Sequence, residues 1–254
     1  MINMRVIEYW RKKYLTEAMV VVGLAGLATG VFIIYIGCGE FKLLFSCLAV
    51  FCAYLMIKEL RADLQTRAEN LILLEKNELF QKLEFDFGRG IDEKKLSELI
   101  SVPSYQVREC FNVMKKKGYI IEEDWFYSVI SAKFLSFNQT AFHGIILRID
   151  VPALDKKMTS VIEQKDGKTA ITGELLEKLK KEELKKVFEG LFKRLGTNKI
   201  MVETMSGEMY FLIKTNKHLF YQFSLLKPCA LQNFLDDVKF WQDTAEKLEA
   251  LLNG

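Results

Sequence analysis

From Ala18 to Gly39 the chain runs for 22 residues without a charged side chain, and this run restricts the fold more than any other feature. As a helix rising 1.5 Å per residue it reaches about 33 Å, enough to cross a hydrocarbon core about 30 Å thick. A second uncharged run, Leu43 to Ile57, follows at once. It is short alone, but Phe41 extends it, and Lys42 can lift its ammonium to the interface while its stem stays apolar. Two runs this close predict a transmembrane helical hairpin, with spans at about 18–39 and 41–57, rather than a cleaved leader. Arg5, Arg11, Lys12 and Lys13 precede the first span and Lys58, Arg61 and Arg67 follow the second. The bias of basic residues toward the cytoplasm then puts both termini on that side. Gly26 and Gly30 are four apart, with Gly23 one turn earlier. Small residues at this spacing let helices approach closely, either within the hairpin or between copies of the chain.

Charge separates the anchor from the rest. Residues 1–58 hold six basic and three acidic side chains, whereas residues 59–254 hold 30 of each. The larger part therefore has no overall basic field to attract nucleic acid. Five cysteines show no Cys-x-x-Cys pair, and the two histidines, His143 and His218, stand 75 positions apart. No phosphate-binding loop, dinucleotide fingerprint or His-Glu-x-x-His motif occurs. The sequence accordingly supplies no catalytic, metal or cofactor residues, and the expected function is not enzymatic.

The remainder reads as α+β. Lys58 to Phe85, without Gly or Pro, predicts a helical stalk over 59–87. Asp92 can cap a helix carrying Leu96, Leu99 and Ile100, and Pro103 marks a turn. Val107, Cys110, Phe111 and Met114 then fall at i, i+3, i+4 and i+7, predicting a second helix over Tyr105–Lys117 that stops at Gly118. Tyr119–Ile121 and Trp125–Ile130 read as a hairpin around an acidic turn, Glu122-Glu123-Asp124. Further on, strands are expected at Lys133–Phe137 and Phe142–Ile149 around a polar turn. A helix capped by Thr172 and closed by Gly196 follows over Gly173–Leu195. A hairpin of Lys199–Thr204 with Glu208–Lys214 turns at Ser206-Gly207, and an amphipathic helix follows Pro228.

Two resemblances attach to these stretches. The run "LSELISVPSYQVRECFNVMKKKGYI" (residues 96–120) and the following apolar residues resemble a winged helix-turn-helix, within a winged-helix-like segment at 88–130. In that family the second helix enters the major groove, which would place DNA or partner contact on Ser104, Tyr105, Gln106 and Arg108. The wider layout is similar to uncharacterised bacterial membrane proteins with two amino-terminal spans and a cytosolic domain of unknown function. "GYIIEEDW", "FHGIILRID", "IMVETMSGEMYFLIKTNKHLF" and "LDDVKFWQDTAEKLEALL" carry that likeness. It implies topology and no activity.

The expectation is thus an α+β cytosolic domain (131–254, with the winged-helix-like segment before it) on a membrane anchor (1–58) in a bacterial inner membrane. Its partners would be the lipid bilayer, a further copy through spans and stalk, and a protein bound by an interaction, sensing or scaffolding domain. A membrane-tethered DNA-binding regulator and a ligand-gated membrane effector are the alternatives, DNA being the less favoured partner.

Overall fold

Helix α1 (Met4–Tyr35) holds residues 18–35 of the first uncharged run and α2 (Gly39–Leu74) holds the whole of the second, and both helices are long and apolar enough to cross a membrane. The computed structural model describes residues 4–35, 39–74, 83–86, 90–132, 135–165 and 167–254. They divide into one unit of residues 1–81 with 222–234 and another of residues 82–221 with 235–254.

In the first unit α1 and α2 pack side by side, with Phe32 stacked on Phe45 at 5.1 Å. Away from that seam Leu24, Leu27, Ile34, Leu44, Leu48 and Phe51 are exposed. A Cβ added at Gly23, Gly26 or Gly30 would meet nothing within 4 Å. The small face of α1 is therefore not the face that packs on α2. Residues 222–234 lie against the other ends of the helices. Phe223 N–H donates to Gln65 Oε1 (2.7 Å), and buried Arg11, paired with Glu8, donates to the Leu225 carbonyl (2.8 Å).

The second unit is built on one antiparallel sheet of eight strands. They are β1 (Glu84–Asp86), β2 (Val107–Lys116), β3 (Tyr119–Ala132), β4 (Leu135–Asp150), β5 (Met158–Lys165), β6 (Lys168–Gly173), β7 (Lys199–Met205) and β8 (Glu208–Lys214). Their order is β1-β2-β3-β4-β8-β7-β5-β6. Short helices α3 (Glu93–Ser97) and α4 (Leu176–Leu179), and longer α5 (Glu182–Leu195) and α6 (Leu231–Asn253), complete the chain. On one face of the sheet Phe126, Phe142, Ile146, Tyr210 and Leu212 are covered by Ile91, Leu96, Leu99 and Val102 from the stretch around α3. Asp92 caps α3 through Lys94 N–H, and buried Glu203 of β7 accepts from the N–H groups of Ile100 and Ser101 (2.9 Å each). On the other face α5 sets Phe188 against Phe211. The part of α6 in this unit is tied by Lys116–Glu246, by Trp241 Nε1 donating to the Leu219 carbonyl, and by Arg194–Asp237.

Several expectations need correction. The second helix expected over Tyr105–Lys117 is strand β2, so the two-helix core of a helix-turn-helix is not formed. The cause of the misreading is a β-bulge at Phe111, between Cys110 and Asn112. It turns the two-residue alternation into one three-residue step, and the apolar spacing then imitates a helix. The acidic turn at Glu122–Asp124 lies in the middle of continuous β3, and the polar turn at Asn138–Thr140 lies within β4. Because β3 crosses residue 130 unbroken, the segments on either side of it contribute to one sheet. The stalk helix runs to Leu74, while Glu84–Asp86 is a strand; the stalk positions 75–82 lie outside the described residues, as does the expected strand start at Lys133 and Phe134. Thr172 lies within β6 and caps neither helix, the helix expected from Gly173 being replaced by the end of β6 and the separate α4 and α5.

Other expectations hold. Gly196 closes α5 at φ 67°. The β7–β8 hairpin turns at Ser206 (φ 52°) and Gly207 (φ 75°), two positive values as a type I′ turn requires.

One glycine is demanded by packing. Gly144 on β4 lies opposite Asp124 on β3 and Lys214 on β8. A Cβ there would sit 2.2 Å from the Ile213 carbonyl oxygen, a backbone atom that cannot swing away. Gly144→Ala is expected to destabilise the domain by about 1–3 kcal/mol, the usual range for overpacking. Chemical denaturation of the detergent-solubilised chain checks this, and an unchanged midpoint would contradict the close approach.

Candidate functional site

Three consecutive carboxylates, Glu122, Glu123 and Asp124, sit in the middle of β3, and all three are fully buried. Side chains alternate along a strand, so Glu122 and Asp124 enter one face of the sheet and Glu123 the other. Each face answers its charge differently.

On the first face Arg108 of β2 donates from Nε to Asp124 Oδ1 (2.9 Å) and from Nη2 to Glu122 Oε1 (2.9 Å). Its Nη1 donates to the Ile91 carbonyl (2.7 Å), and Ile91 N–H returns a bond to Glu122 Oε2. One guanidinium thus faces two carboxylates. Burial first, then the charge of Asp124, raises Glu122 well above the ordinary carboxylate range.

On the second face both histidines of the chain converge on Glu123. His143 is on β4 opposite Trp125, two residues beyond Glu123, and its carbonyl accepts from Thr215 N–H (3.1 Å). Thr215 follows β8, holds the Leu195 carbonyl with its hydroxyl and accepts from Lys217 N–H. The turn it makes brings His218 back over the sheet. His218 Nδ1 stands 2.7 Å from Glu123 Oε1, and Leu219 N–H donates to Oε2 (2.8 Å). A carboxylate only accepts, so Nδ1 carries the proton of that bond. His143 Nε2 is 3.7 Å from the same Oε1, beyond hydrogen-bond reach. The Trp125 ring lies 4.2 Å from the His143 ring and 6.5 Å from that of His218, centroid to centroid.

Burial acts to raise Glu123, but the two imidazoles and the Leu219 N–H outweigh it and hold the carboxyl at about 2. Adjacent residues of one strand are thus driven in opposite directions, one by burial and a second carboxylate, the other, against its burial, by imidazoles and a backbone N–H. Among the described residues, Glu123, His143 and His218 form a group whose donor atoms all lie within 4.8 Å of one another.

The residues singled out from sequence fare unevenly. Arg108 enters the buried acidic site, where its guanidinium is committed to Glu122 and Asp124. Tyr105 stacks on Phe126 at 4.5 Å, and Ser104 offers its carbonyl to Ser128. Gln106 N–H joins the Tyr127 carbonyl at the start of β2 (2.8 Å). No recognition helix presents these four together. The Glu123 cluster was not anticipated, because two histidines 75 positions apart carry no pairing signal along the chain. The one available signal was the apolar flanks of the acidic triplet, Tyr119-Ile120-Ile121 and Trp125-Phe126-Tyr127, which read together as one long strand.

No protein-family model matches the chain, and neither a curated protein nor a solved structure is significantly similar to it.

Proposed function

We propose that this chain is an integral membrane protein of two spans, with both termini in the cytoplasm of a bacterium, whose sheet domain is an interaction or sensing module. The observation that carries this reading is the exposure of α1 and α2. Only 6% of each apolar window is buried within the chain. A core helix of a water-soluble protein would hide most of such a surface, whereas a bilayer covers it. The basic residues flanking the spans support the orientation. The α+β domain contributes a buried cluster of ionisable groups that can respond to a bound ligand, and this supports sensing over scaffolding alone.

Two measurements test it. The chain should stay in the membrane pellet after alkaline carbonate extraction. In a variant keeping Cys38 as its sole cysteine, a membrane-impermeant maleimide should label intact cells. A Cys229-only variant should be labelled only after permeabilisation. Release by carbonate would refute the spans, and labelling of Cys229 in intact cells would refute the orientation.

A further inference from the structure

We propose that Glu123, His143 and His218 form a binding site for a divalent first-row transition metal ion of the zinc or iron(II) class. Two imidazole nitrogens and one carboxylate oxygen make a donor set of intermediate softness. Zinc and iron(II) favour such a set, whereas calcium and magnesium require oxygen ligands throughout. The inference rests on the cluster alone and holds whichever way the membrane reading falls.

The spacing fits. Metal bonds of about 2.0–2.2 Å in a tetrahedral arrangement place ligand atoms about 3.3–3.5 Å apart. Here Glu123 Oε1 is 2.7 Å from His218 Nδ1 and 3.7 Å from His143 Nε2. Changes of about 1 Å at side-chain tips would seat an ion of this bond length.

The surroundings are organised as ligand support. Glu123 Oε2 accepts from Leu219 N–H (2.8 Å) and Asn112 Nδ2 (3.4 Å), which leaves Oε1 to face the imidazoles. The Leu219 carbonyl is held in turn by Trp241 Nε1 (2.9 Å). The Trp125 ring packs beside His143 and restricts its rotation. Such outer partners fix a carboxylate and an imidazole in the pose a metal needs. The His218 side chain, 35% exposed, gives an ion a way in from solvent.

The competing explanation is that histidine merely neutralises a buried carboxylate. His218 does that through its 2.7 Å bond, and the His143 ring adds to it from 3.7 Å. Neither contact gives His143 Nε2 a hydrogen-bond partner, and that atom is buried. A buried nitrogen left without a partner is costly to the fold. A metal ion satisfies His143 Nε2 directly. Coordination through His218 Nδ1 requires the proton of its bond to Glu123 to leave that atom, which in a neutral imidazole means a tautomer with the proton on Nε2. Thiolate plays no part, because Cys110 pairs in register with Asp124 and so lies on the opposite face of the sheet from Glu123. Three protein ligands leave a position for water or a small ligand, the arrangement of exchangeable zinc sites.

The test uses the full chain in detergent, free of any histidine tag and stripped with a chelator. Zn2+ is titrated against a chromophoric chelator, and Co2+ is added separately as a spectroscopic probe. The expected result is one ion per chain with a dissociation constant in the micromolar range or below. A Co2+ visible spectrum of nitrogen and oxygen ligation, without thiolate charge transfer, should accompany it. His143→Ala and His218→Ala should each weaken binding by about 100-fold, and Glu123→Gln should weaken it while circular dichroism stays unchanged. Absence of stoichiometric binding in the unaltered chain overturns the proposal. So does a thiolate band with Co2+, or full binding by a folded His143→Ala, His218→Ala double variant. If an alanine variant fails to fold, His143→Gln and His218→Gln take its place, and retained binding in them overturns the proposal equally.

Discussion

Replacing Arg108 with Ala should destabilise the sheet domain by about 3–5 kcal/mol, the cost of leaving a buried partner charge uncompensated. The guanidinium bridges Glu122 and Asp124, both fully buried, and holds the Ile91 carbonyl as well. Without it two carboxylates would share a pocket with no cation, and the stretch covering that face would lose its bond at Ile91. The size of the effect belongs to the orphaned acids more than to the lost pair, and this is separable. Adding Glu122→Gln and Asp124→Asn to Arg108→Ala removes the orphaned charge and should restore a large part of the loss. Glu122→Gln alone should cost no more than about 1 kcal/mol, since burial and the neighbouring Asp124 already oppose the charge on Glu122 and Asp124 remains to pair with Arg108. Denaturant midpoints of the four chains, followed by tryptophan fluorescence in detergent, decide the matter. A loss below about 1 kcal/mol for Arg108→Ala would mean the acids are solvated as surface pairs are, contrary to their burial.

Acid should weaken the domain in a window set by Glu123. Its carboxyl is held at about 2, against an ordinary value of 4.5. A carboxyl depressed on folding binds its proton less tightly folded than unfolded. The stability it contributes is therefore complete above pH 4.5 and is lost as pH falls from there through about 2. At 1.36 kcal/mol per pH unit the whole contribution is about 3 kcal/mol. Unfolding midpoints measured between neutral pH and pH 2 should fall below pH 4.5 in the unaltered chain. Glu123→Gln should be less stable at pH 7 and should show a flatter acid limb. Equal slopes in the two chains would show that the imidazoles do not favour the ionised form.

Individual residues show what could be read without the fold. The β7–β8 hairpin was legible because Ser206-Gly207 supplies the positive φ its turn needs between two alternating runs. The final helix was legible from Phe234, Val238, Trp241 and Leu248 on one stripe. The β5–β6 hairpin escaped notice although Asp166-Gly167 lies between its strands in the sequence. Strand β2 is not legible from local pattern because a bulge at Phe111 alters its period, and bulges arise from pairing with a neighbour that the local pattern does not reveal. The acidic triplet reads locally as a turn because three adjacent charges rarely enter a strand interior. Here they do, since Arg108 lies across the sheet on one face and His143 and His218 on the other.

The sequence by itself determined the two long apolar helices, the mixed α+β character and the ends of several elements. These follow from short-range quantities: uncharged length, periodicity, and glycine where φ is positive. Only the tertiary structure decided that Glu122, Glu123 and Asp124 are buried and that both histidines meet on the middle one. A carboxylate enters a sheet only when its partners arrive from distant strands. The energy that permits its burial is a property of the assembled pairing, not of any local stretch of chain.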